Sequence, residues 1–257
     1  MNYLARGKKQ IEGQLSFDFC LDARNYVVQA NTLIGGKQAL KLNSAKLIRS
    51  AIMQVVRDDE ELKPYIISVN ELSELLNVPK SDIYRDIDDM TDDIISNPVY
   101  VRKMKAGRTV GFIKIPWVTR CEYKADIGIA IKLNEELKPF LINLKEHYTQ
   151  YTLGEVLAMK SVYAIRIFEI LQCKIVSGNV PRDGTHVVLS VQELRECCDC
   201  ENKYKAFGDF KKRVVDKAVS EINRVTYYDL NFSYQKSGRN VVAIDFFIAS
   251  KLRRMKK

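Results

Sequence analysis

Ser68-Val-Asn-Glu71-Leu72 and Ser190-Val-Gln-Glu193-Leu194 carry the same local instruction twice along the chain. In each, a serine at the N-cap accepts a hydrogen bond from the amide three residues on, and the glutamate there reaches back to the cap amide. The surroundings repeat as well. Ahead of the first box, Leu47, Ile48, Ala51, Ile52, Val55 and Val56 recur at helical spacing behind Asn43 or Ser44 as cap, and residues 65–69 read as a short strand. Ahead of the second, residues 163–175 form an apolar helix and residues 187–189 a short strand.

Behind the first box the helix carries Leu75 and Leu76 and stops near Asn77. A second helix opens at Pro79 and buries Ile83, Ile87, Met90, Ile94 and Ile95. Strands at 99–103 and 109–115 flank the turn Lys105-Ala-Gly107-Arg108, and a further alternation runs through Ile127, Ile129, Ile131 and Leu133. Behind the second box, Phe207, Phe210, Val214, Ala218 and Ile222 line one helix face. Leu230, Phe232 and Tyr234, then Val242, Ile244, Phe246 and Ile248, alternate about the turn Lys236-Ser-Gly238-Arg239. Helix, short strand, two helices and a hairpin is the order of a winged-helix module, met twice. The expected fold class is α+β, with two tandem winged-helix domains related by internal duplication. The expected layout is an N-terminal arm at 1–25, a first domain at 26–148 and a second at 149–257. The link lies near 147–154, after a helix ending around Lys145.

Composition agrees with a folded, core-forming chain: 257 residues, 46% hydrophobic and 28% charged. The net charge of +9 is uneven. Residues 1–150 hold 22 basic and 20 acidic side chains, and residues 151–257 hold 19 and 12, so the second half is the candidate for facing a polyanion, with an ordinary solvated surface as the alternative that charge alone leaves open. The most apolar stretches are interrupted by Lys114, Lys132 and Asp245, which argues against a membrane span, and residues 1–14 lack the apolar core of a secretion signal. A cytoplasmic location follows, with six cysteines expected as thiols. Cys197, Cys198 and Cys200 lack metal-ligand spacing, and only His147 and His186 are on hand to help; neither metal nor cofactor is expected.

The second helix of a helix-turn-helix enters the major groove. In the second copy its outward side carries Lys205, Asp209, Lys212, Arg213, Asp216 and Ser220, flanked by Lys203, Tyr204 and Lys211, while Lys236 and Arg239 arm the hairpin tip. Bases and phosphates are then both in reach. The equivalent helix of the first copy carries Asp82, Asp86, Asp88, Asp89, Asp92 and Asp93, which repel phosphate. Only Lys80, Ser81, Tyr84 and Arg85 at its start, and Lys105 and Arg108 at the turn, suit DNA, so this domain is expected to make fewer DNA and more protein contacts. Gly36-Lys37 lacks the rest of a phosphate-binding loop, and no hydrolase or metalloprotease motif is present.

Tyr148-Thr-Gln-Tyr151-Thr-Leu153 and Lys160-Ser161-Val-Tyr163-Ala-Ile165-Arg166-Ile-Phe168-Glu169-Ile-Leu171 resemble the signature that opens the second winged-helix domain of iteron-binding plasmid replication initiators. Phe207-x-x-Phe210-Lys-x-Arg213-Val214 with Ala218-x-x-Glu221-Ile222-Asn223 is similar to that family's recognition helix; Phe168 replaces its usual tyrosine. The resemblance implies a non-enzymatic protein that binds direct repeats in duplex DNA at a plasmid origin, opens adjacent AT-rich DNA and recruits host helicase and initiator proteins. It also implies monomers on the repeats, and dimers through the first domain on an inverted operator, giving autorepression and copy control. Lys205, Lys212 and Arg213 would read bases, and Lys236 and Arg239 would hold the backbone. Arg166 and Glu169 form a local ion pair of structural character. A transcription regulator of the same fold and a metal-dependent nicking enzyme using the acidic helix are the competing readings.

Overall fold

The computed structural model describes residue 22 and residues 24–251, apart from 77, 106, 107, 125, 126, 176–179 and 182. The expected arm at 1–25 falls almost wholly outside this set, as does the tail at 252–257. The first half runs β1 (Tyr26–Ala30), α1 (Asn31–Ile34), α2 (Leu42–Met53), β2 (Pro64–Ile67), α3 (Val69–Leu76) and α4 (Lys80–Ser96). It continues with β3 (Val99–Lys105), β4 (Arg108–Ile115), β5 (Val118–Lys124), β6 (Gly128–Leu133), α5 (Lys138–Leu141), β7 (Tyr148–Thr152) and α6 (Leu153–Ala158). The second half contains α7 (Val162–Lys174), β8 (Thr185–Ser190) and α8 (Val191–Cys197). One continuous helix follows, built from α9 (Phe207–Phe210), a π-helical segment (Lys211–Val215) and α10 (Asp216–Val225), and then β9 (Tyr228–Ser237) and β10 (Asn240–Ser250).

Two three-stranded sheets, ordered β2-β6-β5 and β8-β10-β9, share one topology. Each takes the strand ahead of its helix-turn-helix and pairs it with the last strand of the following hairpin. The duplication is therefore real, but it corrects one expected equivalence. The hairpin of β3 and β4, which carries Lys105 and Arg108, forms a separate two-stranded sheet. The counterpart of the β9–β10 wing is the hairpin of β5 and β6, whose pairing closes at Lys124 and Gly128. Turn composition misleads here because a Lys-x-Gly-Arg turn closes any hairpin, whereas sheet membership is decided by non-local pairing. Gly128 is required where it stands: φ is +123°, and a Cβ would lie 2.4 Å from the Ile67 carbonyl oxygen of the neighbouring strand.

The first capping box forms in both directions, Ser68 Oγ accepting from the Glu71 N–H at 3.1 Å and Glu71 Oε2 from the Ser68 N–H at 2.9 Å. In the second, Ser190 Oγ accepts from the Glu193 N–H at 2.9 Å, while the Glu193 carboxylate lies 4.0 Å from Lys174 Nζ. Neither Asn43 nor Ser44 caps α2. Both lie inside its first turn, and the Lys41 N–H at the cap donates to Asp93 Oδ2 of α4 at 2.8 Å. One of the six aspartates of α4 is thereby turned inward as a structural acceptor. Ile95 is exposed rather than buried, as is Val56 beyond the end of α2. The helix expected to reach Lys145 closes at Leu141.

The stretch expected to link the halves is β7 and the start of α6, and β7 pairs antiparallel with β1. The first strand is thus tied to the segment that leads into the second half. Below it one apolar core runs through both halves, from Leu33, Ile48 and Trp117 to Phe168, Phe210 and Phe246.

Candidate nucleic-acid interface

In the second half, α8 and the helix 207–225 are joined by a turn in which Asp199 and Tyr204 both take positive φ. Such a turn leaves carbonyls without helical partners. Arg195 collects them, donating from Nη1 to the Lys203 oxygen and from Nη2 to the Tyr204 oxygen, each at 2.8 Å, while its guanidinium lies 4.3 Å from the Phe210 ring centroid. This clamp fixes the angle at which the second helix leaves the first. The sequence reading missed it, since a basic residue in a short helix looks like solvated surface until the turn folds back.

The recognition helix is anchored from behind by Phe210, Val214, Ala218 and Ile222, all buried, as their spacing predicts. Its far end is tied by Glu221, whose Oε2 accepts from the Lys160 and Ser161 amides at 2.6 and 3.0 Å, at the start of α7. The π-helical segment was not legible, and it matters because it contains Lys211, Lys212 and Arg213. Its wider turn redistributes three consecutive cations around the axis. Lys211 turns aside onto Asp216 at 2.7 Å and lies 5.7 Å from the Phe232 ring, whereas Lys212 and Arg213 project into solvent.

Lys205 is exposed at the mouth of the helix. Lys203 lies 3.3 Å from Asp199, and Tyr204 packs edge-on against Tyr163 with the Arg213 guanidinium 5.7 Å from its ring. Lys236 and Arg239 are exposed at the wing, where Gly238 (φ +60°) opens the two-residue turn between Ser237 and Asn240. Among the described residues Lys205, Lys212, Lys236 and Arg239 make no ion pair, and exposed Lys217 adds a cation that the helical-wheel reading passed over. Val242, expected in register, is the extra residue of a bulge between Val241 and Ala243 and is exposed.

The first half presents a different surface. Lys80 and Ser81 are exposed at the start of α4, but Arg85 is held by Asp82 at 3.0 Å and Asp86 at 2.8 Å. Asp88, Asp89 and Asp92 are exposed along the rest of the helix. Lys105 is exposed at the end of β3, and Arg108 opens β4, both on the additional hairpin rather than on the wing.

Between the halves lies a buried charge cluster. Arg49 of α2 grips Glu169 of α7 with two hydrogen bonds, Nε to Oε1 at 3.0 Å and Nη2 to Oε2 at 2.9 Å; both side chains are fully buried. Arg166 donates to Glu169 at 2.6 Å, as the sequence suggested, and also to the Ile34 and Gly36 carbonyls of the first half. Tyr151 donates to the same carboxylate, Gln29 donates to Tyr151, and Gln38 accepts from Arg49. Burial alone would raise the Glu169 pKa, but the two guanidiniums and the hydrogen bonds outweigh it and hold the carboxyl at about 2. Lys37 with Asp199 and Glu201, and Arg102 with Glu196, extend the seam to the surface. The second helix-turn-helix is thus joined to the first half through buried and surface ion pairs.

Among the described residues no group of His, Cys, Asp or Glu is placed to hold a metal ion, and no helix is long and apolar enough to cross a membrane. Burial raises the pKa of the Cys197, Cys198 and Cys200 thiols.

Residues 26–172 match the family model described as "Initiator Replication protein, WH1", and residues 190–248 the one described as "Initiator Rep protein, WH2". An "Uncharacterized 27.6 kDa protein" of Escherichia coli is 23% identical over 239 residues, covering 88% of this chain and 97% of that protein. The "PI protein" of Escherichia coli is 26% identical over 147 residues, covering 51% of this chain and 46% of its own length. The fold is that of the Pi initiator protein in its crystal structure in complex with iteron DNA, with a TM-score of 0.73 at 17% identity, over 90% of this chain and 99% of that one.

Proposed function

The chain belongs to the family of initiator replication proteins built from WH1 and WH2 domains, and from that membership we propose that it binds repeated duplex sites at a plasmid origin and starts replication there. The observation that carries this reading is the second helix-turn-helix: Lys205 stands exposed just ahead of a helix that is anchored from behind and exposes Lys212 and Arg213, beside a wing tipped by Lys236 and Arg239. Residues 149–257 serve as the principal DNA-reading domain, and residues 26–148 serve dimerisation and auxiliary DNA contact. The protein acts by binding rather than by cleavage, in the bacterial cytoplasm. Melting of adjacent AT-rich DNA, recruitment of the host helicase and initiator, and repression of its own gene as a dimer complete the reading. The complex of the Pi initiator with iteron DNA supports the choice of ligand.

Permanganate reactivity on a supercoiled origin plasmid tests this. Added protein should expose unpaired thymines beside the repeats and leave the plasmid unnicked with magnesium or manganese present. Binding without opening would favour a transcription regulator, and nicked product would favour a nuclease.

The additional hairpin supplies the dimer surface. The inner strand β3 is bridged to Lys37 through Tyr100, while β4 presents Val110 and Phe112, 61% and 60% exposed, on its outer run. An exposed apolar edge strand is a template for pairing, and antiparallel pairing of β4 with its twofold mate is self-complementary. Phe112→Glu should shift the protein to monomer in sedimentation experiments without lowering its melting temperature; an unchanged dimer would place the seam elsewhere.

A further inference from the structure

The corrected wing of the first domain brings two aromatic side chains together. Tyr84, in the second turn of α4, is 46% exposed, and Tyr123, on β5 close to the wing tip, is 39% exposed; their rings meet edge to face with centroids 6.2 Å apart. Helix and wing are the two elements of a winged helix that meet duplex DNA, and here they are bridged by large apolar surface left in solvent.

The charges around this pair are largely spent on one another. Arg85 is tied to Asp82 and Asp86, and Arg120 and Lys124 of the wing are both tied to Glu122, at 2.6 and 3.1 Å. Only Lys80 stands exposed at the helix start without an ion pair among the described residues. One turn beyond Tyr84, about 6 Å along the axis, begins the exposed series Asp88, Asp89 and Asp92. Those carboxylates repel phosphate along that length of the helix and leave its first two turns as the part suited to DNA.

We propose that Tyr84 and Tyr123 are the first domain's DNA contact, Tyr84 packing against thymine methyl groups in the major groove and Tyr123 against the adjoining sugar. This rests on the DNA-binding reading above and adds to it a mode of recognition: apolar contact takes over where the second domain uses cations. Thymine is the base that offers the major groove a methyl group, and apolar contact with that methyl is one of the direct readouts of a base pair. The contact releases few counterions, so it should add affinity with little salt dependence.

Binding to an origin repeat and to a scrambled duplex, each over a range of salt, tests the proposal in Tyr84→Ala/Tyr123→Ala and Tyr84→Phe/Tyr123→Phe variants. The alanine pair, by removing the apolar area buried at the contact, should weaken repeat binding roughly tenfold or more, with the salt slope unchanged, and the phenylalanine pair should restore it. Alanine variants that bind like wild type, or that mainly flatten the salt slope, overturn the proposal. Wild type that does not prefer the repeat overturns the DNA-binding reading itself, a distinguishable outcome. Should the alanine pair fold poorly, photocrosslinking of unmodified protein to 5-bromodeoxyuridine-substituted repeats decides the matter. Crosslinked peptide containing Tyr84 supports the proposal, and crosslinks confined to the second half refute it.

Discussion

Glu169→Gln should destabilise the whole protein by about 3 to 5 kcal/mol, the range for breaking a buried ion pair from one side. Arg49 and Arg166 converge on this carboxylate inside the core, where both guanidiniums are buried away from solvent. The loss is read as a shift of the urea midpoint at constant slope, with the single tryptophan, Trp117, reporting from 5.7 Å off the Arg49 guanidinium. Replacing both Arg49 and Glu169 by methionine should cost less than Glu169→Gln alone, since one buried guanidinium, that of Arg166, rather than two is left without its carboxylate. The same pair sets an acid limit. Its folded pKa of about 2 lies below the ordinary 4.5, so between these values the unfolded chain binds more protons. The contribution is complete above about pH 4.5 and is lost as the pH falls toward 2. Wild type should lose stability across that window while Glu169→Gln stays flatter; parallel pH profiles would mean that the cluster is not ionised as described.

Lys212→Ala/Arg213→Ala should abolish the preference for the repeat while leaving the melting temperature unchanged. Both side chains are exposed, and neither is part of the packing of Phe210, Val214 and Ala218 behind them. A side chain that reads a base contributes about 1 to 3 kcal/mol of discrimination, so the pair together accounts for roughly thirtyfold to twenty-thousandfold. Lys236→Ala/Arg239→Ala provides the contrast. A wing on the backbone should weaken repeat and scrambled duplex alike and shallow the salt slope. If the two double variants behave identically, the second domain does not divide base reading from backbone holding.

Most of this architecture could be read locally. The Ser-x-x-Glu boxes, the apolar faces of α4 and of the helix 207–225, and the alternation in β9 and β10 are instructions contained within a few residues, and they placed the recognition helices correctly. Local chemistry also explains the one false equivalence: Lys105-Ala-Gly107-Arg108 and Lys236-Ser-Gly238-Arg239 are alike as turns, but only pairing with β2 or β8 shows which hairpin is the wing. The pairing of β1 with β7 and of Arg49 with Glu169 joins residues about 120 positions apart, and no spacing rule reports that. Within the site, Lys212, Arg213, Lys236 and Arg239 stand exposed where a helical wheel and a hairpin put them, whereas Lys205 is exposed in the turn ahead of the helix, which begins only at Phe207. Lys211 and Arg85 were equally basic on paper, yet Asp216, Asp82 and Asp86 engage them. The π-helical turn and the Arg195 clamp depend on the folded turn and had no periodic signal.

Two winged helices docked through the Arg49–Glu169 seam should recognise one duplex together. Hydroxyl-radical footprinting of the wild-type protein on an origin repeat, at several salt concentrations, tests it most directly. Joint recognition should give protection of two successive major grooves on one face of the repeat, in equal proportion throughout a protein titration, with none of that pattern on a scrambled duplex. Protection of a single groove, or two grooves that fill at different protein concentrations, would contradict it.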